Sequence, residues 1–290
     1  MSQGNPLKKL IDSVLRRGSV PDSSQRTKEI PAWLPERGAP DPKNFLSFSI
    51  PVFWGTSNPE RVNELIAELV PLLEGGFHFG DNLLTWYRNI SFLDDPPFKN
   101  AYESNIQNSA DAAIAWRRYI LACAGYHCVQ LEGDFVECGV YCATGIKTVI
   151  DYLGGKQFAK QFYGYDTFDY NPVYGHSTVQ KVGFYEEVLK RFEGYPQVHL
   201  VRGLIPESFT ESCPEKIAYL HIDLNNAESE IAALDVLFDR VVPGGIIILD
   251  DYEWAGIYRP QKMAEDPWFD KHRHRVFPLP TGQGLVLKRG

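Results

Sequence analysis

Long apolar runs are missing from this sequence: no stretch reaches the roughly 18 uncharged apolar residues of a membrane helix, so no membrane partner is expected. The opening residues, MSQGNPLKKLIDSVLRRG, lack the apolar block and small-residue cleavage site of a secretory signal, which points to a cytoplasmic protein. Cationic charge is also short, with 29 Lys and Arg against 37 Asp and Glu and a formal balance of −8. Phosphate contacts need a cationic face, so a dedicated nucleic-acid binder is disfavoured. Cysteine is sparse and dispersed: Cys123, Cys128, Cys138, Cys142 and Cys213. An odd set fits reduced thiols, and Cys138 and Cys142 have no second Cys or His pair at zinc-site spacing. Internal repeats and low-complexity tracts are absent.

What is present can build a core, since 44% of residues are hydrophobic and 13% aromatic. Residues 1–45 stand apart as a proline-rich arm. Leu7, Leu10, Ile11, Val14 and Leu15 share one helical face there, and Pro21, Pro31, Pro35, Pro40 and Pro42 follow among polar residues. Such an arm is either a loose tail or a clasp on a partner subunit, and a homo-oligomer is expected. Residues 46–132 read as a helical and aromatic cap. Asn58, Pro59 and the spacing of Val62, Leu65, Ile66, Leu69, Val70 and Leu73 predict a helix over 58–74. Residues 77–98 read as aromatic and irregular, and a second helix is expected over about 103–123.

From residue 133 to 290 the pattern changes. Short apolar runs at 134–138, 161–166, 197–201, 217–223 and 245–250 alternate with helix-like stretches near 144–153, 178–193 and 227–241. Further strands are expected at 275–279 and 284–288. This alternation predicts an α/β domain with a mostly parallel sheet covered by helices on both faces.

Ligands of such sheets bind beyond the carboxyl ends of the strands, so the residues there carry the information. Glu137-Cys138-Gly139-Val140-Tyr141 ends the first strand and Asp166 the second; Gly203 lies near the third, Asp223 ends the fourth, and Asp250 and Asp251 end the fifth. Gly139 permits a tight turn, but Tyr141 and Thr144 stand where a dinucleotide fingerprint has its second and third glycines. A ligand with an adenosine end and no pyrophosphate fits better, with Asp166 accepting hydrogen bonds from ribose hydroxyls. Asp223, Asp250 and Asp251 would repel one another unless a cation joins them, and oxygen ligands select Mg²⁺ or Ca²⁺ before zinc. The alternative is that Asp251 caps the next helix and Asp250 is solvated. His221 shares a strand face with Asp223, as a hydrogen-bonded core residue more readily than as a base.

The motifs DFVECGVYCATG, FYGYDTFDYNP, RGLIPES, LHIDLNNAESEIAALDVLFDRVVPGGIIILDDYEWAG and PTGQGLVLK resemble the macrocin O-methyltransferase-like (TylF-type) branch of class I S-adenosylmethionine-dependent methyltransferases. FGDNLLTWYRNISFLDDPPF resembles the region before their core. The resemblance implies a seven-stranded Rossmann-like sheet with a reversed last strand, S-adenosylmethionine as methyl donor, and a small hydroxylated acceptor. It implies that Glu137, Gly139 and Tyr141, with Cys138 and Val140 between them, line the methionine end. Asp166, followed by Thr167 and Phe168, would hold the ribose, with Gly203 nearby. It also implies Mg²⁺ on Asp223, Asp250 and Asp251, with Asp223 as general base. Two positions depart from the pattern: Ala143-Thr144-Gly145 replaces a glycine-rich turn followed by Ser, and Asn225 stands where relatives carry a second acid. Two rival readings remain, a metal-dependent sugar-nucleotide enzyme and a catalytically silent binder of the same cofactor.

Overall fold

The computed structural model describes residues 34–36, 46–48, 53–168 and 183–290. All of them belong to one compact unit of the chain, Trp33–Gly290. The amphipathic helix expected within residues 1–45, and nearly all of the proline-rich arm, lie outside the described residues.

In chain order the elements are β1 (Leu46–Phe48), α1 (Pro59–Leu69), β2 (Phe77–Gly80), β3 (Leu83–Trp86), α2 (Pro96–Glu103), α3 (Ser109–Ala113) and α4 (Ala115–Cys128). Then come β4 (Asp134–Cys138), α5 (Thr144–Tyr152), β5 (Phe162–Asp166), α6 (Phe184–Lys190), β6 (Val198–Arg202) and β7 (Ile217–Ile222). The chain finishes with α7 (Ala227–Leu237), β8 (Val241–Leu249), α8 (Arg259–Lys271), β9 (Phe277–Pro278) and β10 (Gly284–Leu287). No described helix is long and apolar enough to cross a membrane.

The main sheet runs β6-β5-β4-β7-β8-β10-β9, with the first five strands parallel and β10 antiparallel to β8. This is the seven-stranded sheet with a reversed strand that the sequence motifs implied. The chain moves outward from β4 to β5 and β6, then returns to place β7 on the other side of β4. Strand order therefore switches between β4 and β7, where open α/β sheets leave a crevice for ligands.

Alternation along the strands separates two cores. Phe135, Tyr219, Ile246 and Ile248 pack with α2, α4 and α5 on one face. Val136, Leu220, Ile222, Ile247 and Leu249 pack with α7 and α8 on the other. Continuing the first face toward the carboxyl ends, apolar side chains give way to Glu137, His221 and Asp250, all buried.

Three local readings need correction. The aromatic stretch 77–98 contains an ordered hairpin, with β2 and β3 antiparallel and β1 parallel to β2. Asp81 and Asn82 both take positive φ between the strands, the geometry of a two-residue hairpin turn. The helix expected over 103–123 is shifted and divided: Asp95 caps α2, Asn108 caps α3, and α4 runs on to Cys128. The strand expected at 245–250 begins earlier, at Val241, so Pro243-Gly244-Gly245 lies inside β8. Ile217 pairs with Val241 and Tyr219 with Ile246, so the extra residues loop out around a Gly244 at φ 85°.

Candidate active site

At the switch point the backbones of two loops touch. Gly139 has φ 91°, and a Cβ there would stand 1.8 Å from the Asp223 carbonyl oxygen. Asp223 N donates to Cys138 O at 2.8 Å, and Gly139 N donates to Tyr165 O at 2.8 Å. Only glycine satisfies both the backbone angle and the close approach. The turn continues through Tyr141 at φ 48° and Ala143 at φ 61°, two side-chain-bearing residues in the left-handed region. Such conformations persist where the surroundings hold them, and they gather at ligand sites.

Asp166 supplies much of that hold. Its Oδ2 accepts from Val140 N at 2.8 Å and Tyr141 N at 2.7 Å, while its Oδ1 accepts from Phe168 N at 2.7 Å. Gly203 N donates to the Asp166 carbonyl at 3.0 Å. Gly139, Tyr141, Asp166, Thr167, Gly203 and Asp223 are partly exposed. Cys138, Val140 and Phe168 are buried, so they offer a ligand backbone and not side chains. Glu137 also departs from its expected place. Its carboxylate is buried beneath Gly145, with Oε2 3.0 Å from His221 Nδ1.

The same turn is braced by the cap. Thr144 Oγ1 donates to Asp111 Oδ2 at 2.9 Å, Arg191 donates to the Cys142 carbonyl, and a second Arg191 nitrogen donates to Asn105 O at 3.1 Å. Thr144, in the altered stretch after Gly139, is therefore a structural anchor for α3.

The acids at the end of β8 are neither solvated nor a helix cap. Asp250 and Asp251 are 4% and 8% exposed. Arg117, from α4, reaches both: its Nη2 donates to Asp250 Oδ2, to Asp250 O at 2.9 Å and to Asp251 Oδ1 at 2.8 Å. Its Nη1 lies 3.5 Å from Asp81 Oδ2, which ties in the hairpin turn. On the other side, Gln283 Nε2 donates to Asp250 Oδ1 at 2.8 Å. His221 Nε2 stands 3.3 Å from that oxygen, off the line of a good hydrogen bond, so the contact is ionic.

The charge states follow from these contacts. Burial alone would depress the His221 pKa, but Asp250 and Glu137 on either side more than offset it and raise it to about 10. Burial likewise opposes ionisation of Asp250, yet Arg117 and His221 hold its carboxyl well below the usual range. Burial raises Asp251, which shares its guanidinium with Asp250. Asp223 is pushed well above the usual carboxylate range by burial and by repulsion from Asp250 and Asp251. Its one side-chain hydrogen bond among the described residues comes from Asn225 Nδ2 at 3.3 Å. Asn225 itself sits at φ 55°, which its short side chain tolerates.

The structure thus brings Gly139, Tyr141, Asp166, Thr167, Gly203 and Asp223 to one open edge and sets Glu137, His221, Asp250 and Asp251 beneath it. Ligand-type atoms of His221, Asp223 and Asp250 lie within 4.8 Å of one another, a cluster that leaves out Asp251. Sequence reasoning missed Arg117, Asp81 and Gln283. The available signal was a pair of arginines, Arg117-Arg118, inside an aromatic and apolar helix. Of the aromatics after Asp251, Tyr252 is buried with its hydroxyl bonded to Asp266. Tyr258 stays half-buried; burial and the nearby Asp251 and Asp223 carry its pKa to about 12.

Residues 126–266 match the macrocin-O-methyltransferase (TylF) family. No curated protein matches the chain. Among solved structures, the O-methyltransferase NovP is similar with a TM-score of 0.53 at 19% identity, over 68% of this chain and 90% of NovP. The calicheamicin methyltransferase CalS11 is similar with a TM-score of 0.50 at 14% identity, over 87% of this chain and 98% of CalS11. Its apo form, described as a TDP-rhamnose 3'-O-methyltransferase, gives 0.50 at 14% identity over 81% and 96%. At these identities the likeness is one of fold.

Proposed function

We propose that this chain, whose residues 126–266 match the macrocin-O-methyltransferase (TylF) family, is an S-adenosylmethionine-dependent methyltransferase that methylates a hydroxyl of a sugar or sugar-bearing natural product. CalS11, described as acting on TDP-rhamnose, supports the acceptor class. The observation that carries the chemistry is Asp223, a partly exposed carboxylate at the strand-order switch with a single amide donor.

Bound S-adenosylmethionine supplies the methyl group as an activated sulfonium. In this reading Gly139 and Tyr141 receive its methionine end, and Asp166 and Thr167 its ribose. Asp166 Oδ1 keeps a lone pair beyond the three amides that the carboxylate already accepts. The acceptor oxygen forms the new O–CH₃ bond as the S–CH₃ bond breaks, the bonding pair stays on sulfur, and the hydroxyl proton passes to Asp223. A carboxylate with a raised pKa is a better base for that proton, and the positive donor beside it favours its ionised form. Alignment of the two reactants is the protein's larger contribution, up to about 7–11 kcal/mol. Tyr258 is the aromatic that closes over the acceptor in this arrangement.

A divalent ion on Asp223, Asp250 and Asp251 is the second reading. It is favoured by the closeness of His221, Asp223 and Asp250 and opposed by Arg117, which already engages Asp250 and Asp251. Labelled S-adenosylmethionine, incubated with a panel of sugars and sugar nucleotides, tests the proposal. A labelled methyl ether is expected. Cofactor binding with no product from any acceptor would point to the silent binder, and sugar-nucleotide binding without cofactor binding to the other rival.

A further inference from the structure

The acidic pair at the end of β8 needs a compensating positive charge, because two buried carboxylates side by side are costly without one. This chain carries that charge in its own sequence. One Arg117 nitrogen serves Asp250 and Asp251 together, its neighbour faces Asp81, and the side chain is 10% exposed. A guanidinium stays protonated at any working pH, so its occupancy does not depend on solution conditions.

Further N–H groups face the oxygens of Asp250. Gln283 donates to Oδ1, the His221 ring presses on the same oxygen, and Arg117 takes Oδ2 and the carbonyl. An incoming hard cation would meet N–H groups aimed at the oxygens it needs. Mg²⁺ also sheds its waters reluctantly and demands octahedral room. The crevice beside Arg117, lined by His78, Asp81, Trp116 and Thr281, has space for about one water, about 10 Å³. The expected donor set of Asp223, Asp250 and Asp251 does not fit a Mg²⁺ cage while Arg117 is in place.

We infer that Arg117 is the resident cation of this centre: a positioning residue that locks Asp250 and Asp251, leaves Asp223 as the acid open to the acceptor, and makes methyl transfer independent of a divalent metal. The last part rests on the proposed methyltransferase reaction. The first does not.

Mn²⁺ is the probe, because it enters Mg²⁺ sites and its free form is counted by electron paramagnetic resonance. It is titrated into the full-length chain with S-adenosylhomocysteine added. Wild type is expected to leave the free Mn²⁺ signal undiminished. Arg117→Met, which uncovers the acids, should take up about one ion per chain, and Arg117→Lys, which keeps the charge, none. Stoichiometric uptake by wild type overturns the inference, as does a folded Arg117→Met that takes up none. If Arg117→Met does not fold, wild type and Arg117→Lys carry the test, and uptake by either overturns it. Methyl transfer by wild type in excess EDTA should stay within about twofold, whereas a loss of about tenfold restored by Mg²⁺ would contradict it. A chain that transfers no methyl group fails the proposed function and leaves the Mn²⁺ result standing, so the two failures are distinguishable.

Discussion

Arg117 Nη2 and Asp251 Oδ1 meet at 2.8 Å across 134 residues of sequence, with both side chains almost entirely out of solvent. The contact fastens the helix before the sheet to the loop that follows the fifth parallel strand. Because Asp250 shares the same nitrogen, the two acids are bound as a unit.

That unit sets an order of stability losses. Asp250 holds Arg117, Gln283 and His221, while Asp251 holds Arg117 alone among these. Asp250→Asn should cost about 3–5 kcal/mol, as expected for breaking a buried ion pair, and Asp251→Asn about 1–3 kcal/mol. Urea unfolding of the two variants checks the order, and equal losses would mean that the acids are not held as described.

Gly139→Ala should damage the site through the backbone alone. The new Cβ would collide with the Asp223 carbonyl at 1.8 Å, on a residue already at φ 91°. We expect a loss of about 2–4 kcal/mol. Circular dichroism on heating checks this, and a variant as stable as wild type would mean that the two loops are not in contact.

Asp166→Ala removes the acceptor of three backbone N–H groups along with the expected ribose partner. Hydrogen bonds to a charged group are worth about 1.5–3 kcal/mol each, so S-adenosylhomocysteine affinity should fall by about tenfold or more. Isothermal titration calorimetry is the readout; unchanged affinity would remove Asp166 from the cofactor site.

Stability should also carry a pH signature away from the site. Glu265 on α8 is fully buried and faces the carboxyl group of Glu230 on α7. Burial raises its pKa from 4.5 to about 7. The folded state therefore binds more protons than the unfolded state across that window, so wild-type stability falls as pH rises from about 4.5 through about 7. Glu265→Gln removes the Glu265 share of this dependence and leaves that of Glu230, so its stability relative to wild type should grow by about 1–3 kcal/mol between pH 5 and pH 8. Thermal unfolding at both pH values checks it; a gap that shrinks would contradict the assignment.

Much of this was legible in the sequence. Short apolar runs such as DFVEC, IAYLHID and GIIILD located the strands, and the residues after each gave the open edge, because both are properties of one strand and its turn. The Asp81-Asn82 hairpin was missed although a two-residue turn between alternating runs is a local signal. The partners of Asp250 were not local. Arg117 lies 133 residues before it and Gln283 33 after, and nothing short of the sheet order brings them together. Carboxylates at adjacent strand ends read as a metal site until the helix across them supplies an arginine.

The rate of methyl transfer by Asp223→Asn tests the proposed chemistry most directly. The amide keeps the shape and cannot accept the proton. A fall in kcat of about 10²–10⁴-fold is expected, with S-adenosylmethionine affinity changed by no more than about threefold. A variant that transfers methyl groups within about threefold of the wild-type rate would show that Asp223 is not the base.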